Sequence, residues 1–299
     1  MRRAQNREDR VILITGASGN TGGAVLDAAL ASGLPARAMY RDERDAAKAR
    51  GQTTAVIADF GDRDSLVRAL DGIERVFLVC GPVPQLVELE SNMIDACLAA
   101  GVRHIALSSA LGAGRFPKSF PSWHVQVESK LQASGLGYTI LRPNGFMQNI
   151  VAYNAQSIRT DGAFYSAMAD ARISLVDVRD VGAVAAAILA GPDRHSGNIY
   201  ELNGPEAVTN GEIAARISRI VGRAVTFIDI PEEKQREAML GAGMAPWQVT
   251  AILELQEYYR TGACASVDGT VAELLGRPAR TLDAYLSENK AALADDSPS

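Results

Sequence analysis

The sequence predicts an α/β fold: a doubly wound, Rossmann-type parallel sheet with a smaller C-terminal α+β lobe. Three observations carry this. Short apolar, β-rich runs alternate with helix-like segments five times over roughly a hundred residues, the pattern of consecutive βαβ units. The first run leads through a glycine-rich turn straight into the first helix. After Asn149 the alternation gives way to irregularly spaced helical and strand-like pieces.

Val11-Ile12-Leu13-Ile14 reads as a strand buried on both faces of a parallel sheet. The spacing predicts a helix over 22–31, ended by Gly33 and Pro35. Further strands are expected at 36–39, 55–58, 76–79, 104–107 and 138–141, with helices at 43–50, 65–70, 86–100 and 125–133. Right-handed crossovers would bring the strand ends to one edge, where such sheets bind ligands. Beyond Asn149 the reading is helix 181–189, strand 199–202, helix 212–221, strand 225–228 and helices 232–240 and 247–259. Residues 1–10 read as a solvated arm and 11–149 as the dinucleotide-binding core. Residues 150–294 form a mixed remainder that includes a substrate-covering lobe, with helix 180–190 packed back on the core, and 295–299 form a loose tail.

Composition narrows the function. The chain of 299 residues is 47% apolar and 22% charged, enough to bury a large core. Its net charge of −5, with both signs interspersed, argues against nucleic acid or an anionic membrane as partner. The apolar stretch from Val11 to Leu30 is broken by Thr15, Gly16, Ser18, Gly19, Asn20 and Asp27 and does not span a bilayer. The charged start lacks a following apolar region and cleavage site, so it does not read as a signal peptide. Cys80, Cys97 and Cys264 are widely spaced and read as reduced thiols of a cytoplasmic protein. His104, His124 and His195 make no metal-ligand pattern, and no Gly-x-Ser-x-Gly elbow is present. The expected partner is a small electrophilic molecule, and the chain is expected to be a monomer or homodimer.

The chemistry-bearing motif is Thr15-Gly16-Ala17-Ser18-Gly19-Asn20-Thr21-Gly22-Gly23. Gly16 permits a sharp turn, Gly19 lets backbone approach a pyrophosphate, and Gly22 allows close helix–sheet packing. The helix N-terminus then offers N–H groups and a positive dipole end to phosphates, with Ser18, Asn20 and Thr21 adding side-chain hydrogen bonds. A glycine-rich connecting turn without a ligand is the plain alternative; the strand–turn–helix context favours a dinucleotide. At the end of the second strand an acidic residue suits NAD, and an arginine accommodates the 2′-phosphate of NADP. The strand ends Ala38-Met39-Tyr40-Arg41, with Arg37 within it and Arg44 and Lys48 nearby, which favours NADP(H) over NAD(H). Asp42 and Glu43 cut against this, because a slip of one residue would bring a carboxylate into reach. Asp59 and Phe60 are placed to bond and pack on adenine, unless Asp59 simply caps the next helix. Cys80 and Gly81 end the fourth strand, where backbone without bulk lets a cofactor pass, and Cys80 reads as an unreactive thiol.

Taken together, these residues resemble the NmrA-like group of atypical short-chain dehydrogenase/reductases, which includes NADPH-dependent quinone and triphenylmethane-dye reductases. The resemblance also rests on His104-Ile105-Ala106-Leu107-Ser108-Ser109, His124-Val125-Gln126-Val127-Glu128, the stretch from Ser134 to Asn149, Val176-Asp177-Val178-Arg179-Asp180-Val181, and Val267 to Arg277. It implies an extended Rossmann domain, a small C-terminal lobe and a cleft between them. It places Ser108 and Ser109 at the end of the fifth strand and Pro143, Asn144 and Phe146 along the nicotinamide end.

Short-chain dehydrogenases carry Tyr-x-x-x-Lys on the helix after the fifth strand, where the lysine lowers the tyrosine pKa and the tyrosine moves a proton. Here that place reads His124-x-x-x-Glu128. Residues four apart share a helix face, so His124 and Glu128 are expected to pair, and a paired histidine can protonate a developing alkoxide or quinol oxygen. A helix-start histidine with an exposed glutamate partner is the structural alternative. Ser108 and Tyr165 are weaker relay candidates, and Lys130 faces another way. Asp177 and Asp180 read as helix-start caps, and Met239, Met244, Trp247, Tyr258 and Tyr259 line either a substrate pocket or plain core. A conjugated acceptor takes hydride with little acid help, so loss of Tyr-x-x-x-Lys does not exclude reduction. The leading function is an NAD(P)H-dependent oxidoreductase that transfers hydride to a quinone-like or other conjugated small molecule. The alternatives are a non-catalytic NAD(P)-binding redox sensor and an isomerase or epimerase that recycles its cofactor.

Overall fold

The computed structural model describes residues 11–47 and 53–294. The arm at 1–10, Lys48 and the tail at 295–299 lie outside the described residues, as does the later part of the helix expected over 43–50.

The elements follow in chain order: β1 (Ile12–Ile14), α1 (Asn20–Ala31), β2 (Ala36–Tyr40), α2 (Glu43–Ala46), β3 (Thr54–Ile57), α3 (Arg63–Ala69), β4 (Arg75–Leu78), α4 (Leu86–Ala100), β5 (His104–Ser108), α5 (Ser119–Ala133) and β6 (Gly137–Pro143). Then come α6 (Gln148–Asp161), β7 (Ala163–Ser166), α7 (Val178–Ala190), β8 (Ile199–Leu202), α8 (Asn210–Val221), β9 (Thr226–Asp229), α9 (Glu232–Gly241), α10 (Pro246–Arg260), α11 (Thr270–Leu275), α12 (Leu282–Glu288) and α13 (Lys290–Leu293).

Strands β3-β2-β1-β4-β5-β6-β8 form one sheet in that order. The pairs β2–β3, β1–β2, β1–β4, β4–β5 and β5–β6 are parallel. The order 3-2-1-4-5-6 is that of a Rossmann fold, and its reversal lies between β1 and β4, the place where such sheets take dinucleotides. Thr15 stitches that switch point: its hydroxyl donates to the carbonyls of Phe77 and Val79 and accepts the Val79 N–H at 2.9 Å.

The chain divides into two compact units. The first comprises 11–113, 123–142 and 178–201; the second comprises 114–122, 143–177 and 202–294. Segments 114–122 and 143–149, read from sequence as part of the core, thus group with the second unit. In the first unit, sheet residues Leu13, Val76, Leu78, Ile105, Leu107 and Ile140 pack with Leu66, Met93, Ile94, Val127 and Leu131 of the helices. Each is fully buried, a contribution of about 1.5–3 kcal/mol apiece before the entropy of ordering is subtracted. The second unit has its own cluster around Ile150, Ile158, Phe164, Ile213, Ile217, Leu282 and Leu286, and a small parallel sheet of β7 and β9.

Two expectations are corrected. The helix expected over 125–133 starts at Ser119, because Pro121 falls in the first turn, where its missing N–H costs nothing. Ser119 is held there at φ 54°, its hydroxyl donating to the Ala251 carbonyl. His124 is therefore well inside α5, not at its start. The stretch after Asn149, read as irregular, is the regular helix α6 followed by β7. Its apolar residues are sparse because only Ile150 and Ile158 are fully buried. Among the described residues no helix is long and apolar enough to cross a membrane, and no cluster of side chains is arranged to hold a metal ion.

Candidate functional site

The glycine-rich turn has the shape its sequence requires. Gly16 lies at φ 60°, and a Cβ there would meet the Val79 side chain at 2.8 Å. A Cβ on Gly22 would collide with the carbonyl oxygen of Gly16, so the first turn of α1 folds directly over the loop. Ser18, Gly19 and Asn20 are exposed and Thr21 is half-buried. Helices α2, α3, α8 and α12 each begin with a side-chain oxygen on their free N–H groups. Helix α1 begins at Gly19 with no side-chain cap and no acidic residue in its first turn. Its N–H groups and positive dipole end are left for an anion. A Cβ on Gly81, beyond the end of β4, would meet nothing within 4 Å. The loop, the bare helix end and the open space at Gly81 fit a dinucleotide pyrophosphate.

The charges at the end of β2 sort themselves. Asp42 accepts the Asp45 N–H at 2.9 Å as the cap of α2, and that bond holds its carboxyl below the usual range. Arg44 lies against the same carboxylate at 3.8 Å. Arg37 turns away, donating to the carbonyls of Ala69 and Asp71. Arg41 is exposed. Thus Asp42 is engaged as a helix cap, while Arg41 and Glu43 are both exposed at the strand end.

Asp59 does not cap α3. That role belongs to Asp62, which accepts from the backbone of Asp64 and Ser65. Asp59 instead accepts the Gly61 N–H at 2.7 Å and stays exposed. Phe60 is half-buried against the core, its carbonyl taking a hydrogen bond from Asn92. Burial and the neighbouring Glu90 push the Cys80 thiol up to about 12, so it is no nucleophile.

Glu90 was not anticipated. It sits on α4, fully buried, with Oε1 accepting the Cys80 N–H at 2.8 Å and Oε2 without a hydrogen-bond partner. Burial pushes its carboxyl up to about 8. The signal was present: Leu86, Glu90, Met93, Ile94 and Cys97 form the buried stripe of this helix, and one of its members is acidic.

The expected His124–Glu128 pair is not formed. Glu128 accepts Arg142 Nε at 2.9 Å and Nη2 at 2.6 Å, and the Ser109 hydroxyl at 2.5 Å. Those bonds use the carboxylate, and the Nδ1 atom of His124 is shielded without a partner. Burial lowers the His124 pKa to about 4, with Glu128 offsetting little, so the ring is neutral near pH 7. Ser109 is buried and its hydroxyl is committed; Ser108 is buried at the last position of β5. Lys130 pairs with Asp95 at the surface. Tyr165 is exposed opposite Ile228 in the small sheet.

In the second unit, the turn after β6 is tied down on all sides. Asn144 is buried and donates from Nδ2 to Asn203 Oδ1 and to the Cys264 carbonyl, both at 2.9 Å, while its Oδ1 accepts the Gly145 N–H. Its side-chain amide hydrogens are thus spent on the fold. Val176 donates to the Gly145 carbonyl, and Met147 to that of Val176. Pro143 is buried and Phe146 half-buried. Asp177 accepts from Gln148 just before α7.

The model of the NmrA-like family matches residues 8–286. The chain belongs to the NmrA-like family. This NmrA-like protein is 35% identical over 285 residues to an NAD(P)H azoreductase of Xenophilus azovorans, covering 94% of this chain and 99% of the relative. It is 36% identical over 289 residues to a (4-alkanoyl-5-oxo-2,5-dihydrofuran-3-yl)methyl phosphate reductase of Streptomyces griseus, covering 96% and 100%. The crystal structure of an NADPH-dependent quinone oxidoreductase of Escherichia coli complexed with NADPH superposes on it with a TM-score of 0.85. The identity is 30%, with 93% of this chain and 99% of the other covered.

Proposed function

We propose that this NmrA-like protein is an NADPH-dependent reductase that delivers hydride to a quinone-like or other conjugated small-molecule acceptor. The observation that carries the reading is the uncapped, acid-free start of α1 folded over Gly16, beside an Arg41 whose acidic neighbour Asp42 is engaged elsewhere. Reductases of azo compounds, of a dihydrofuranone phosphate and of quinones among the relatives support the reaction class.

Gly16, Ser18, Gly19, Asn20, Thr21 and Gly22 hold the pyrophosphate, Arg41 the 2′-phosphate, and Asp59 and Phe60 the adenosine end. Cys80 and Gly81 offer backbone and open space rather than side-chain chemistry. When bound, the dinucleotide supplies a hydride from its nicotinamide ring. Family resemblance assigns Pro143, Asn144 and Phe146 to that ring and Ser109 to cofactor binding at the end of the fifth strand. The structure's contribution there is rigidity: the side chains of Ser109 and Asn144 are already hydrogen-bonded within the protein. Neutral His124 serves as a weak hydrogen-bonding group rather than an imidazolium acid. The test is acceptor-dependent oxidation of NADPH by the purified protein, with NADH in parallel.

A further inference from the structure

We propose that Glu90 is a positioning residue for the dinucleotide: from α4 it holds the end of β4 beside the glycine-rich loop, and the cofactor binds the form of the protein in which this carboxyl carries its proton. The proposal rests on the dinucleotide-binding part of the reading above.

β4 ends at Leu78, and the backbone beyond it is held by side chains. Val79 is fixed by Thr15, whose hydroxyl accepts its N–H at 2.9 Å and donates to its carbonyl at 3.0 Å. Cys80 is fixed by Glu90, whose Oε1 accepts its N–H at 2.8 Å. Gly81 follows, exposed, with open space where a side chain would stand. Gly16 lies so close to this strand end that a Cβ on it would meet the Val79 carbonyl oxygen at 3.1 Å. The strand end is thus held by the loop through Val79 and by α4 through Cys80, all within the first unit. Releasing Cys80 frees the backbone that leads to Gly81 beside the pyrophosphate loop.

A glutamine would accept from Cys80 as well, and an apolar residue would complete the stripe of Leu86, Met93, Ile94 and Cys97. The acid adds one property, a charge that depends on pH. Glu90 is fully buried, and Oε2 has no hydrogen-bond partner among the described residues. Burial raises its carboxyl to about 8, with the Cys80 N–H as the smaller, opposing influence. The titratable groups around it stay out of that range. Cys80 at the strand end and Cys97 on α4 are both pushed up to about 12. Asp59 and Arg41 act on the Cys80 thiol. Arg63, Asp64 and Arg68 of α3 and Glu88 of α4 are exposed, and Asp95 of α4 pairs with Lys130 of α5 at the surface. Burial lowers His124 of α5 to about 4. Ionised, Glu90 would place a negative charge at the residue before Gly81, answered by a single N–H. A bound pyrophosphate raises its pKa further, so binding favours the protonated form and weakens as pH rises past 8.

The test is the Kd of NADPH and of NADH, by fluorescence titration at about pH 7 and about pH 9, in wild type, Glu90→Gln and Glu90→Leu. The 2′-phosphate of NADPH, with a pKa of about 6, is almost fully ionised throughout, and NADH lacks it. For a rise of about one unit in the Glu90 pKa on binding, the wild-type Kd should grow about fivefold over that interval with either cofactor. Glu90→Gln should hold the growth below about twofold. Glu90→Leu, which cannot accept from Cys80, should weaken binding about 5- to 10-fold at both pH values, and Gln should recover most of that loss. Should the Leu variant misfold, calorimetry of NADH binding at about pH 8, in buffers of different ionisation heat, supplies the second measurement. Wild type should take up about 0.4 of a proton, and Glu90→Gln none. A flat wild-type Kd, or a rise that persists in the Gln variant, would overturn the coupling to the proton. Binding by the Leu variant within twofold of wild type would overturn the positioning role. A wild-type protein that binds neither cofactor would overturn the dinucleotide reading as well.

Discussion

Arg142 and Glu128 form a two-point ion pair inside the first unit, with Nε on Oε1 at 2.9 Å and Nη2 on Oε2 at 2.6 Å, and Ser109 adds a third bond to the same carboxylate. The pair joins α5 to β6 and the end of β5. Glu128 acts on the framework and not on His124.

Breaking that pair from one side strands the other charge. Glu128→Ala is expected to destabilise the protein by about 3 kcal/mol, because it leaves a mostly buried guanidinium without its anion. Urea unfolding measures this. A loss under about 1 kcal/mol would show that water or Glu201, 4.0 Å from the guanidinium, takes over.

On the proposed reading, Arg41 separates the two cofactors. Arg41→Ala should raise the Kd for NADPH about 10- to 100-fold, the worth of one or two charge-assisted hydrogen bonds, and change that for NADH by less than about twofold. Fluorescence titration of both cofactors decides it. Equal weakening of the two would remove Arg41 from 2′-phosphate recognition.

Glu90 makes stability fall as pH rises. Its folded pKa of about 8 stands above the ordinary 4.5, so the folded state holds a proton that the unfolded state has released. The stabilising contribution is complete below pH 4.5 and is lost as pH climbs through 8. Above about pH 7.5 the histidines contribute little opposing slope, since they are then neutral in both states. Wild-type stability should decline in that range, and Glu90→Gln should flatten the decline. An unchanged slope in the variant would mean that Glu90 is ionised in the folded protein.

His104 and His124 act in the opposite sense. Both have folded pKa values of about 4 because burial disfavours the charged ring. Their contribution is present above 6.5 and is lost as pH falls toward 4, at up to about 1.4 kcal/mol per pH unit for each. His124→Asn should reduce this acid lability and leave the shape of the kcat profile above about pH 5.5 unaltered. Loss of a kcat limb near pH 6.5 in that variant would restore His124 as the proton donor.

Much of this was legible in the sequence, for physical reasons that can be named. The Gly16–Gly22 spacing encodes a left-handed turn and a helix packed too closely for side chains, and both are local properties. The helix over 86–100 was read to the residue because its apolar stripe closes on Gly101, which adopts the left-handed cap at φ 75°. What failed was partner choice. A spacing of four puts His124 and Glu128 on one face, but it cannot see Arg142 arriving from β6 with a better-matched charge. Arg142 stood out only as a cation in the otherwise apolar Tyr138–Pro143 run. The partners that fix Asn144, Asn203 and Cys264, lie 59 and 120 residues away in sequence, beyond the reach of a local pattern.

The central claim is hydride transfer from NADPH to a conjugated acceptor, and steady-state loss of NADPH absorbance with purified protein tests it most directly. A panel of quinones, azo dyes, conjugated aldehydes and cationic dyes would be run with NADPH and NADH. The account predicts turnover with at least one class of acceptor and a higher kcat/KM for NADPH. Tight NADPH binding without oxidation by any acceptor would contradict it, and would instead support a protein that senses the dinucleotide.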